Sequence, residues 1–168
     1  MKRAVVAILL LCATAGWVRS AWAVILTWSS PPVLSITDSM GSFTLSFPDF
    51  LNGTTSATQS VTYRVRANNM PGGELSGAVS ARLDQLFEGI DLQADVNTYQ
   101  NLGTPSYALL QEAQSGYWTV QTAQTALANK TAGVLLNGTL TVTWRARLTA
   151  DAVAGQRSRF LVVTLRDS

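Results

Sequence analysis

Residues 140–148, Leu-Thr-Val-Thr-Trp-Arg-Ala-Arg-Leu, alternate apolar and polar side chains without a break. Successive side chains of an extended strand point to opposite faces. Leu140, Val142, Trp144, Ala146 and Leu148 therefore share one face, and Thr141, Thr143, Arg145 and Arg147 share the other. The pattern predicts a strand with one face on a core and one in water. Val61 to Ala67 repeats it, with Val61, Tyr63, Val65 and Ala67 inward, and so does Ile90 to Val96, with Asp91, Gln93 and Asp95 outward. Val79, Ala81 and Leu83 make a weaker copy.

Shorter strand candidates fill the intervals: Val24 to Trp28, Val33 to Ile36, Ser42 to Phe47, Ser106 to Gln111, Tyr117 to Gln121 and Arg159 to Leu165. Turn formers separate them, among them Pro31-Pro32, Asn52-Gly53, Pro71-Gly72-Gly73, Gly103-Thr104-Pro105, Ser115-Gly116 and Gly155. Asp84 to Glu88 is read as one helical turn. No other segment carries helical period over the roughly 10 residues that a helix requires. Thr122 to Thr131, polar and rich in small residues, is read as a mobile loop. Nine or ten short strands with regular turns predict an all-β fold, an antiparallel Ig-like β-sandwich, with a closed β-barrel as the alternative.

The first 23 residues have a different character. Lys2 and Arg3 precede an apolar run from Ala4 to Cys12, and a less apolar stretch ends in Ala21-Trp22-Ala23. That order is the layout of a cleavable secretory signal peptide. Gly16 and Arg19-Ser20 interrupt the run before it reaches the roughly 20 apolar residues of a spanning helix. The expected organisation is a signal peptide over 1–23 and a single domain over 24–168, placed outside the cytoplasm or at the cell surface with no transmembrane anchor.

Cleavage after Ala23 changes the chemistry of what remains. The only cysteine, Cys12, leaves, and the chain has no histidine. Loss of Lys2, Arg3 and Arg19 leaves nine basic against ten acidic residues, turning a net charge of +2 into −1. A near-neutral chain carries no electrostatic footprint for nucleic acid. Without histidine or cysteine there is no Ser-His-Asp triad, imidazole metal ligand or thiolate nucleophile.

A carboxylate pair is the remaining catalytic option. Asp91 and Asp95 lie four apart on one outward face, about 13 Å along a strand, too far apart for either glycosidase geometry. Asp91-x-Gln93-x-Asp95-x-Asn97 has a faint look of a calcium loop, but Val96 stands where such loops need glycine. The residues therefore predict no catalytic residue, metal or cofactor.

Arg64 with Arg66, and Arg145 with Arg147, form two outward pairs, read as surface residues that offset acidic neighbours. Three Asn-x-Thr acceptors, at Asn52, Asn129 and Asn137, are close to what chance gives in a chain this rich in serine and threonine. Trp28, Trp118 and Trp144 fall on inward registers. Tyr99, Tyr107 and Tyr117 are the rings left to face outward, and together they form a candidate carbohydrate platform.

The order of an early hairpin around Ser42 to Phe47, the strand Tyr-Arg-Val-Arg-Ala-Asn (Tyr63 to Asn68), the long strand Leu140 to Leu148, a turn at Gly155 and the final strand Phe160 to Leu165 resembles that of bacterial secreted Ig-like surface proteins of the WxL-like and spore-coat-U-like groups. It is more distantly similar to fimbrial subunits. There are no tandem Trp-x-Leu motifs, Asp167 stands where fimbrial subunits have tyrosine, and their disulfide is missing. The resemblance implies a non-enzymatic structural or adhesive surface protein, with carbohydrate binding as the alternative. Its implied partners are other surface proteins, a second copy or a cell-surface glycan. The fimbrial likeness further implies strand donation, with Val24, Ile25, Leu26, Thr27 and Trp28 as the donor segment.

Overall fold

The structure, a computed structural model, describes residues 33–150 and 155–167, and every regular element among them is a β-strand. The nine strands are β1 Leu34–Asp38, β2 Gln59–Ala67, β3 Leu75–Leu83, β4 Ile90–Asn101, β5 Leu110–Glu112, β6 Trp118–Thr119, β7 Thr125–Lys130, β8 Leu136–Leu148 and β9 Leu161–Leu165. They pair antiparallel in a five-stranded sheet of order β1-β2-β8-β4-β6 and a four-stranded sheet of order β5-β7-β3-β9. Neither sheet closes on itself. The fold is an antiparallel sandwich and not a barrel.

β8 is the centre of the larger sheet, paired along its length with β2 and β4. Its alternation sets rows of inward side chains across three strands. Val61, Val142 and Val96 form one row, and Tyr63, Leu140 and Tyr99 the next. In a third row Ala94 stands between Trp144 on β8 and Trp118 on β6, so a methyl group separates two indoles. Alternating large and small residues fill such a layer without voids. Trp144 and Ala94 are fully buried and Trp118 is nearly so, as their inward register predicts.

Gly138 on β8 must lack a side chain. A β-carbon there would come within 2.5 Å of the Gln100 carbonyl and would also meet the Tyr99 ring. Gly77 allows a different irregularity. Its φ of +64° permits the register shift by which β3 passes β7, a conformation that side chains with a β-carbon rarely adopt.

Four expectations are corrected. Thr122 to Thr131 is not a mobile loop, because β7 runs through it, paired with β3 on one side and β5 on the other. The alternation is hidden there by the shifted pairing with β3 and by an inward lysine. Lys130 is 1% exposed, and its ammonium donates to the carbonyls of Gly73 at 2.7 Å, Thr131 at 2.8 Å and Gly133 at 2.7 Å. Asp84 to Glu88 is not helical, since it forms bends leading into a tight turn closed by the Phe87–Ile90 bridge. Ser42 to Phe47 is extended but joins no ladder. The candidates Ser106 to Gln111 and Tyr117 to Gln121 shrink to the three residues of β5 and the two of β6. The predicted strand Val24 to Trp28 and the segment 1–23 lie outside the described residues.

A phenylalanine-lined groove as candidate functional site

Phenylalanine favours strands, yet none of the five in this chain lies in any of the nine strands. Phe43, Phe47 and Phe50 follow β1, Phe87 precedes β4, and Phe160 precedes β9. All five line one groove of about 940 Å³. The closed core is filled instead by aliphatic residues, tryptophan and Tyr63.

The groove opens where the sandwich is least finished. β1 is the terminal strand of the larger sheet and β9 that of the smaller, and both contribute lining residues, Ile36 and Asp38 from β1 and Leu161 and Val163 from β9. Among the described residues each strand is paired along one edge only, and its other edge joins no ladder. Apolar walls between two free strand edges are the physical requirements for adding an extended peptide.

The walls are partly wet. Phe160 is 78% exposed, and Met40 and Phe50, exposed as well, line the same groove. Isolated exposed apolar residues need no explanation, but a group of them around one opening does. Arg157 and Arg159 also line the groove. Arg157 donates to the Glu88 carbonyl at 3.0 Å, and the Arg159 guanidinium lies 5.3 Å from the Phe87 ring centre.

The segment Ser42–Phe47 runs through this opening with Phe43, Leu45 and Phe47 half-buried and Ser42, Thr44 and Ser46 exposed. Phe43 stacks on Trp144 with centroids 6.0 Å apart and planes inclined by 23°. The Ser46 carbonyl accepts a hydrogen bond from the Ala57 amide at 3.1 Å. Among the described residues it is the one backbone bond that residues 43–47 make.

The three tyrosines of the candidate platform do not share a face. A register shift between Val96 and Thr98 turns Tyr99 inward opposite Leu140, where it packs against the core with its hydroxyl buried and unpartnered. Counting it among the rings left to face outward missed the bulge that follows Val96. Tyr117 lies on the outer face of the same sheet, its ring covered by the Arg145 guanidinium at 3.6 Å. Tyr107 packs over Gly103.

The charged candidates are spent on their own sheet. Arg145 donates to the Gln93 side chain at 2.8 Å, and Arg64 to the Gly138 carbonyl at 2.8 Å. Asp91 stands opposite Arg147 and Asp95 opposite Thr143. No group of three or more metal-ligating side chains occurs among the described residues.

Burial pushes the Tyr99 phenol up to about 12, against the attraction of the nearby Arg64, and burial raises Tyr63 further. A raised phenol pKa means that the folded chain holds its proton where the unfolded chain has lost it. Stability is then full below the ordinary value of 10.0 and falls as pH rises beyond it. The melting temperature is expected to drop between pH 10 and 12, and Tyr63→Phe to flatten that drop. An equal alkaline slope in parent and variant would contradict the assignment. No protein-family model, curated protein or solved structure matches this chain.

Proposed function

We propose that the chain is an exported, non-enzymatic structural subunit of a cell-surface assembly, joined to its neighbours by strand addition at the phenylalanine groove. The observation that carries this reading is the coincidence of two strand edges that are unpaired among the described residues, on β1 and β9, with an apolar groove lined by every phenylalanine of the chain. A strand entering there extends a sheet through backbone hydrogen bonds and places alternate side chains among the phenyl rings. Val24 to Trp28, with Val24, Leu26 and Trp28 on one face, has the composition for that role.

Deletion of residues 24–28 from the secreted chain tests the proposal. The parent is expected to form oligomers by size-exclusion chromatography and polymers by electron microscopy. The shortened chain is expected to stay monomeric with an unchanged far-ultraviolet spectrum. Assembly unaffected by the deletion would sink the donor role.

A further inference from the structure

Ser42-Phe-Thr-Leu-Ser-Phe47 has every local property of a strand. It alternates apolar and polar residues, contains neither glycine nor proline, and is bounded by Gly41 and Pro48. Its alternate residues Phe43, Leu45 and Phe47 are partly buried, yet it joins no ladder among the described residues. Free edges on β1 and β9 border the same opening. Strand-competent sequence left unpaired beside free strand edges is a conflict between local and global structure, and such conflicts concentrate where a protein acts.

We infer that residues 42–47 are a built-in placeholder, which stands as one wall of the groove by side-chain contact in the free chain and gives up its place to an incoming strand. The inference rests on the strand-addition reading and adds a competitor to it. Phe43, Leu45 and Phe47 keep the groove from standing open to water. With a single backbone hydrogen bond over residues 43–47 among the described residues, leaving costs little beyond the apolar contact, which the entering side chains replace. The same arrangement weakens capture of the wrong strand, because a ligand must outcompete three apolar side chains before it gains any ladder bonds.

Hydrogen–deuterium exchange of the dilute secreted chain tests this, with a fluorescent peptide of residues 24–32 as probe. Amides of residues 43–47 are expected to exchange about 100-fold faster than those of Val61, Tyr63 and Val65, which lie in a strand paired on both sides. Phe47→Ser, chosen to leave the Phe43–Trp144 stack intact, is expected to bind the peptide about tenfold more tightly than the parent. Leu45→Ser serves if that variant does not fold. Thr44→Ser, at an exposed position, is expected to leave affinity unchanged.

Slow exchange across residues 43–47 overturns the placeholder, and so does equal affinity in the parent and the loosened variant. If the peptide binds no variant, the N-terminal donor falls, and anilinonaphthalene sulfonate then decides the placeholder. Stronger dye uptake by the loosened variant supports it, and equal uptake overturns it.

Discussion

Trp144→Ala is expected to cost about 3–5 kcal/mol of folding stability, the range for removing a large buried aromatic side chain. Trp144 is fully buried on the central strand of the larger sheet, in a row with Ala94 and Trp118. Its neighbour across β4 is a methyl group, which cannot swing in to fill the space, so the cavity persists and the cost falls at the upper end. The melting temperature should drop by roughly 10 °C or more. Trp144→Phe should cost less than half as much. It keeps most of the ring contact with Phe43. Urea unfolding of the three chains, compared at equal slope, measures both differences. An alanine variant that melts with the parent would place Trp144 outside the core. Because Phe43 rests on this ring, the alanine variant should also release the segment Ser42–Phe47.

The strands that sequence alone could place are those that bury one face and keep a regular register. β2, β4 and β8 alternate because the larger sheet has a dry side and a wet side, and that asymmetry is written residue by residue. Sequence reading fails where geometry breaks the period. One extra residue between Val96 and Thr98 moves Tyr99 to the opposite face, and nothing in the local sequence marks it. β7 was hidden by its shifted pairing with β3 and by Lys130, a charged residue at a position where pattern reading expects an apolar one. The candidate site was less legible still. Its five phenylalanines come from three segments separated by long stretches of chain, and only folding brings them around one opening. A partial signal was present: Phe50, Phe87 and Phe160 fall outside the segments of cleanest alternation.

Lys130→Met is expected to destabilise the chain by about 1–3 kcal/mol, since three part-buried carbonyls lose their shared donor and water can replace it only in part. The substitution keeps the length of the side chain and deletes only the ammonium group, so packing along the stem survives. What it removes is the common donor to Gly73, Thr131 and Gly133. Those carbonyls belong to two loops that are otherwise tied by two backbone bonds between them, Gly133 to Gly72 at 2.7 Å and Met70 to Val134 at 3.1 Å. Burial lowers the amine's pKa while the Glu74 carboxylate opposes the shift. Three N–H donors meeting three carbonyls favour the ammonium form, which neutral lysine, with two donors, could not satisfy. Arginine is no substitute, because its flat fork cannot turn towards three converging oxygens, and Lys130→Arg should also destabilise. The damage should be local before it is global. Lys130 is paired with Leu75, and the groove begins at Leu83, about 26 Å further along β3. Hydrogen exchange should therefore accelerate first at residues 71–74 and 131–134, while the amides around Trp144 stay protected. A methionine variant as stable as the parent would mean that water satisfies the loop carbonyls and that the buried charge is dispensable.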